Sequence, residues 1–220
     1  MTTFPGSPKT LRGAVVLLDP DSGRLKRFIT LQFNPESLSR SLQIQSLAGG
    51  SGNRSEALRL SGPPVETIKL DAEIDAADHQ LEFPNQNPTT RIFGIHPQLA
   101  ALETIVYPPN SRIRQNNALA SAGTLEIIPA QSDLTLFVWS VSRILPVRIT
   151  ELSVTEEFFD ALLNPIRAKV SLGMRVLNVN DLPFNHRGNS LFMMHHQLKE
   201  RFSKLSQASA LGGAVVQVLR

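Results

Sequence analysis

Val65-Glu66-Thr67-Ile68-Lys69-Leu70-Asp71-Ala72-Glu73-Ile74-Asp75-Ala76 decides the fold class. From Ile68 onward the apolar side chains Ile68, Leu70, Ala72 and Ile74 alternate with Lys69, Asp71, Glu73 and Asp75. In an extended chain successive side chains point to opposite faces, so a period of two buries one face and leaves the other to water. A helix would need apolar residues at every third or fourth place. Residues 65–76 therefore form a strand with one apolar and one polar face.

The same period returns downstream. Ala168, Val170, Leu172, Met174 and Val176 oppose Lys169, Ser171, Gly173 and Arg175, which makes residues 168–177 a strand. Residues 134–142, with Phe137, Val138, Trp139 and Val141, read as a buried strand, and residues 147–158 as another. Three strands joined by short turns that carry Pro or Asn form a meander.

Upstream, residues 13–18 are aliphatic and β-branched, Asp19-Pro20-Asp21-Ser22-Gly23 is dense in turn formers, and residues 26–33 alternate again. This is a β-hairpin. Asn34-Pro35-Glu36-Ser37 interrupts it, because proline cannot donate to a ladder, and Leu38, Leu42 and Ile44 resume as a third strand. Ala48-Gly49-Gly50-Ser51-Gly52-Asn53 reads as a mobile loop between two strands.

Helical patterns are few. Pro97 suits a first helical turn, and Leu99, Leu102, Ile105 and Val106 share a face before Pro108-Pro109. Residues 110–133 are polar, with an apolar patch at residues 125–128, and read as a long connection of functional or interfacial use. Leu191, Met194, Leu198, Phe202 and Leu205 lie three or four apart, opposite Lys199, Glu200, Arg201 and Lys204. They predict an amphipathic helix whose stripe packs on the sheet. Gly212-Gly213 ends it, and residues 214–219 form an apolar tail able to add a strand to its own sheet or a neighbour's.

The chain of 220 residues, 41% hydrophobic, can bury a substantial core. Its formal net charge is +3; residues 1–142 hold 12 Lys/Arg against 13 Asp/Glu and residues 143–220 hold 10 against 6, so the excess lies in the last third. With no basic run and only one Trp and one Tyr, nucleic acid is not an expected partner. The absence of cysteine excludes disulfides, thiolate metal sites and thiol nucleophiles. No segment approaches the roughly 20 apolar residues of a membrane span, so no membrane insertion is expected. No basic start followed by an apolar run marks a secretory signal, which implies synthesis and assembly in the cytoplasm and leaves the Asn53-Arg54-Ser55 sequon without meaning.

Asp71, Glu73 and Asp75 are the leading chemical candidates, because residues 66–82 hold six carboxylates against one lysine. Such a ladder could take a hard cation or pair an acid with a base. The simpler reading is a solvated strand face, since neighbours on one face stand about 7 Å apart and do not converge. In a ring the same face would line a lumen and repel an anionic cargo.

His79, His96, His186, His195 and His196 form no i, i+4 pair, and His195 and His196 point about 100° apart on a helix. No metal, cofactor or catalytic residue is expected. Gly50-Ser51-Gly52 is not a nucleophile elbow, and no phosphate-binding glycine loop is present.

Leu31-Gln32-Phe33-Asn34-Pro35-Glu36-Ser37-Leu38, after a first hairpin, resembles the N-terminal signature of the contractile injection system tube-protein family. Gly94-Ile95-His96-Pro97-Gln98-Leu99-Ala100-Ala101-Leu102-Glu103 with Tyr107-Pro108 resembles that family's helix. Phe137-Val138-Trp139 with Arg143-Ile144-Leu145-Pro146-Val147-Arg148-Ile149 resembles its central strand pair. Glu156-Glu157-Phe158-Phe159-Asp160 with Leu163-Asn164-Pro165-Ile166-Arg167-Ala168 resembles the turn into its last strand. The order matches over roughly residues 10 to 180, and the order is more specific than any one motif.

The resemblance implies a mainly β, β-rich α+β fold. It would be an antiparallel β-sandwich or partial barrel of the phage tail-tube type, with one central short helix and a C-terminal amphipathic helix. Residues 1–180 would be the tail-tube-like domain, and residues 181–220 would pack on it or on a neighbouring subunit.

The implied role is that of a tube initiator or baseplate hub adaptor. Copies would form a homo-oligomer, a hexameric ring, joining the inner tube protein to the spike or hub protein and other baseplate subunits of an intracellular or released particle. Asp71, Glu73, Asp75, Phe33, Asn34, Pro35, Trp139 and Arg143 would face the lumen or a subunit interface. Many members carry a peptidoglycan-binding LysM repeat; the residues after Leu177 leave no room for one, so cell-wall binding is not implied. The competing readings are a monomeric β-sandwich module binding a ligand or peptide, and an enzyme built on Asp71, Glu73 and a histidine.

Overall fold

A computed structural model describes residues 11–46, 59–76, 92–123 and 131–208. The glycine-rich loop at 48–53, the sequon, His79, the patch at 125–128, Gly212-Gly213 and the tail at 214–219 lie outside the described residues.

The described strands are β1 (Ala14–Leu18), β2 (Leu25–Thr30), β3 (Leu38–Gln43), β4 (Val65–Asp75), β5 (Leu134–Ser140), β6 (Arg143–Phe159) and β7 (Pro165–Val176). They form one seven-stranded sheet in the order β2-β1-β5-β6-β7-β4-β3, with every pairing antiparallel. The fold is thus mainly β, and β5, β6 and β7 are the expected meander.

The sheet curls. Val15 and Leu17 of β1, Phe137 of β5, Leu172 and Met174 of β7, and Ile68 and Leu70 of β4 share one apolar cluster although β1 and β4 stand far apart in strand order. Of the two architectures, the partial barrel describes these strands. Ile68, Leu70, Ala72 and Ile74 are all buried, as are Ala168, Val170, Leu172, Met174 and Val176. The period-two reading of both strands holds residue by residue.

The barrel is drawn together where β2 runs out. There the Gln32 side chain accepts from the Asp75 backbone N–H at 2.9 Å and donates to the Asp75 carbonyl at 2.7 Å. One amide thus mimics a strand partner for the end of β4. The Asn34-Pro35 break has a similar role: Gly13 N–H donates to Asn34 Oδ1 at 2.9 Å, and Asn34 Nδ2 donates to the Leu11 carbonyl at 2.7 Å.

Among the described residues the helices with stated bounds are α1 (His96–Glu103), α2 (Asn110–Ser121) and α3 (Arg187–Ala208). Helix α1 buries Leu99 and Leu102 against Ile74, Ala168 and Val170, and Val106 lies beyond its end, exposed. Gly94 has φ +57°, and a Cβ there would collide with the Pro165 carbonyl oxygen. That carbonyl accepts from Ile95 N–H at 3.0 Å, so the glycine lets the helix start sit directly on β7.

Helix α2 lies in the segment expected to be a connection. It buries no residue, so its sequence, Asn110-Ser111-Arg112-Ile113-Arg114-Gln115, carries no apolar period to reveal it. Helix α3 corrects a second expectation. Its hidden side is Asn189, Phe192 and His195, Leu191 and Leu198 are half-buried, and Met194, Phe202 and Leu205 are exposed. The apolar stripe is only partly packed, because polar residues hold part of the docking face.

Candidate functional site

Edges and exposed apolar surface are the features of this fold most suited to action. Strand β6 is 17 residues long, but β5 pairs with it only as far as Val147. On its other side β7 follows it to Phe159. Among the described residues, positions 148–159 therefore present an open strand edge about 40 Å long at about 3.3 Å per residue. On strand β4, β3 pairs with Val65 to Leu70, and the Gln32 amide bonds the backbone of Asp75 beyond. Unpaired edges recruit further strands, and natural proteins blunt or cover them.

The hairpin joining β6 to β7 ends in an apolar tip. Phe158, Phe159, Leu162 and Leu163 are all exposed, the two leucines by 80% and 78%. The turn is nonetheless firmly built. Asp160 Oδ1 accepts from Leu162 N–H at 2.7 Å and Asn164 N–H at 2.8 Å, while Asp160 Oδ2 accepts from Asn164 Nδ2 at 2.8 Å. The Asn164 side chain and its backbone N–H, and then the Leu162 N–H, hold the Asp160 carboxyl below the usual carboxylate range.

Phe158 and Leu163 adopt positive φ, 56° and 62°. That region is strained for bulky side chains, costing about 1–3 kcal/mol per residue. The Arg167 guanidinium sits 5.5 Å from the Phe158 ring centroid. The tip is therefore a fixed knob. Ile92 and Phe93, also exposed, lie beside it through the Asn164 Nδ2 donation to the Ile92 carbonyl at 3.2 Å.

The acidic ladder sits on the polar face of β4, as its alternation requires, but it is answered by cations. Asp75 and Glu73 both bind Arg167, at 2.7 Å and 3.2 Å. Asp71 accepts from Ser171 Oγ, and Glu157 on β6 binds Lys169 at 2.9 Å. Asp75 is buried rather than solvated because Arg167 and Gln32 enclose it. The pairing strand was invisible to a reading of residues 65–76 alone, and it sets one cation, Arg167, against two of the three carboxylates.

Phe33, Asn34 and Pro35 lie in the segment after β2, and Asn34 and Trp139 both approach Gly13: Asn34 accepts from its N–H, and an added Cβ there would stand 3.0 Å from the Trp139 ring and 3.1 Å from Leu31. Trp139 stacks on Phe137 at 5.8 Å, which gives it a packing role, and Arg143 opens β6, half-buried. Of the eight candidates, the structure brings Asp71, Glu73 and Asp75 together on the polar face of β4, and Asn34 and Trp139 together at Gly13.

One buried charge cluster escaped the sequence. Glu66, 4% exposed, accepts from Arg40 at 2.6 Å and Lys199 at 2.9 Å. Burial alone would raise its pKa, but bonds to Lys199 and Arg40 outweigh this and hold it low. Alongside lies His195, its Nδ1 3.3 Å from the Ser142 carbonyl and its buried Nε2 without a hydrogen-bond partner. Burial, then the Lys199 charge, depresses its pKa. Glu66 breaks the polar and apolar alternation of β4, the signal by which it stood to be found.

Among the described residues no three His, Asp or Glu side chains are placed to hold a metal. None of the described helices is long and apolar enough to cross a membrane. An apolar cavity of about 320 Å³ lies under β2, lined by Phe28, Ile29, Leu70, Ile74, Ala101 and Leu102 among others.

No protein-family model and no curated protein matches the chain. Solved structures similar to it include the tail of an empty gene transfer agent particle refined with C6 symmetry and the virion of a native gene transfer agent particle. Each is 10% identical, over 74% of this chain and 90% of the other, with TM-scores of 0.29 and 0.28. A likeness this faint shows neither family nor function.

Proposed function

We propose that the chain is a structural subunit of a phage tail-like contractile injection system, forming a ring that joins the inner tube to the baseplate hub and spike. The observation that carries this reading is the open edge of β6 over residues 148–159 among the described residues. If β6 of one copy pairs with a strand edge of the next, each copy covers its neighbour's edge, and the repeat closes into a ring.

The ordered motifs that resemble the tube-protein family support the same reading, and all four fall on elements that shape the sheet or its ends. In such a ring Asp71, Glu73 and Asp75, with Arg167 and Lys169, form a mixed-charge polar face toward the lumen. Phe33, Asn34, Pro35, Trp139 and Arg143 flank the contact with inner tube, spike or other baseplate subunits, in a particle that stays in the cell or is released.

Electron microscopy of the purified full chain at high concentration tests the proposal. Annular particles with a central opening are expected. A field of compact single copies at every concentration would refute it.

The cavity under β2 favours a second reading, a monomeric module for a small apolar ligand, since pockets of this size are typical of ligand sites. Saturable binding of a small apolar dye that Ala101→Trp abolishes, in a chain that never assembles, would establish that reading in place of the ring.

A further inference from the structure

We infer that the apolar tip of the β6–β7 hairpin is a plug that seats in a basic groove on a second copy of this chain. The inference rests on the ring reading and adds a contact to it, separate from the strand edges.

The plug is Phe158, Phe159, Leu162 and Leu163, all exposed on a turn fixed by Asp160 and Asn164. A protein that holds two bulky residues at positive φ to display four apolar side chains to water gains nothing from them as a monomer. Its collar carries an acidic excess. Among the described residues Glu156 is exposed and has no ion pair, Glu157 is shared with Lys169, the bonds to Asp160 keep that carboxylate charged, and Arg167, over the Phe158 ring, is bound to Glu73 and Asp75.

The groove is a concavity of about 750 Å³ between β2 and the connection from α1 to α2. Its exposed apolar residues are Val106, Tyr107 and Ile113. Its charged lining is Lys26 and Arg27 on β2 with Asp133, which pairs with Lys26 at 2.6 Å; Arg112 and Arg114 flank the lining residue Ile113 on α2, a helix that carries no acidic residue, and leave a basic excess on that side. Among the described residues Arg112 and Arg114 are exposed and make no ion pair.

Convex apolar surface with an acidic collar and concave apolar surface with a basic flank are the two halves of a head-to-tail contact. One copy cannot join them itself. The plug is tied to the start of α1, where Ile95 N–H binds the Pro165 carbonyl, and the groove opens at the end of α1, after Thr104. A lipid bilayer is the other surface that takes apolar loops, but insertion is favoured by basic flanks, and this plug has acidic ones.

The absence of cysteine makes the test clean. Two full-length variants, Leu162→Cys and Ile113→Cys, are mixed and oxidised with a copper catalyst. A mixed disulfide-linked dimer well above the yield from either variant alone is expected. Separately, Glu156→Arg and Arg112→Glu should each weaken self-association about tenfold, and the two together should return it to within about twofold, as a direct charge pair requires.

If copies assemble but the mixed dimer is absent and Leu162→Ala with Leu163→Ala leaves assembly unchanged, the plug is overturned while the ring stands. If no assembly occurs at any concentration, both fall. Binding to phosphatidylcholine and phosphatidylglycerol vesicles that depends on Leu162 and Leu163, with unaltered self-association, overturns the plug in favour of a membrane.

Discussion

The root and the tip of one hairpin, β6 with β7, obey opposite rules. At the root Val147, Val170, Leu172, Met174 and Val176 are buried, and each faces an apolar partner on β4, β5 or α1. At the tip Phe158, Phe159, Leu162 and Leu163 are equally apolar but exposed, with the Arg167 guanidinium over the Phe158 ring, and Phe158 and Leu163 are held in an unfavourable backbone conformation. The contrast teaches that apolar residues here have two uses. Those at the root stabilise the monomer, and those at the tip are kept for a surface that the monomer lacks.

The sharpest test of that contrast is a pair of truncations. Phe137→Ala, which empties a fully buried site facing the root, should cost about 3–5 kcal/mol in denaturant unfolding. Leu162→Ala should change it by less than about 0.5 kcal/mol. Comparable losses at both sites would break the comparison.

Next in size is Gln32→Leu, which keeps the bulk but strips the Asp75 N–H and carbonyl of their partner. A loss of about 1–3 kcal/mol is expected, with faster amide exchange at Asp75. Full protection without Gln32 would mean that the barrel closes by other means.

The α3 docking cluster predicts a pH dependence. His195 has a folded pKa below its ordinary 6.5, so between the two values the unfolded chain binds the proton first. Stability is thus complete above about pH 6.5 and declines as pH falls toward the depressed value, by at most about 1.4 kcal/mol per pH unit. Protonation would place an imidazolium beside Lys199 and Arg40, with only Glu66 to offset it. In unfolding measured across that range, His195→Phe should flatten the decline. Glu66 adds a second loss at lower pH, below its ordinary 4.5, where the carboxylate held low by Lys199 and Arg40 finally takes a proton.

The smallest effect has the opposite sign. Leu163→Gly relieves a positive φ and should raise monomer stability by about 0.5–1 kcal/mol, the strain released less the entropy of the added glycine. It should weaken assembly at the same time. A variant that stabilised both would show that the tip is not kept for a partner.

Much of the root was legible in the sequence because burial on one face writes a period of two into β4 and β7. The first hairpin was equally plain from Asp19-Pro20-Asp21-Ser22-Gly23, where Asp19 accepts from the Ser22 N–H and side-chain hydroxyl. Elements without an apolar period were not legible: α2 buries nothing, and the first residues of β6 run through Pro146. The docking face of α3 was misplaced because Asn189 and His195 occupy it, and a search for apolar stripes passes over buried polar residues.

Little of the candidate site was readable. An open edge is a statement about which strands do not pair, and nothing local records that the pairing with β5 ends at Val147 while β6 continues. Nor does Phe158-Phe159 announce its exposure, because by composition alone it is indistinguishable from core.

The mass of the purified full chain, measured by sedimentation over a wide range of concentration, tests the central claim most directly. The account predicts a shift from single copies to one closed oligomer of fixed size, with amide exchange slowing along residues 148–159 as the oligomer forms. A single 24.2 kDa species at every concentration, with those amides exchanging freely throughout, would contradict it.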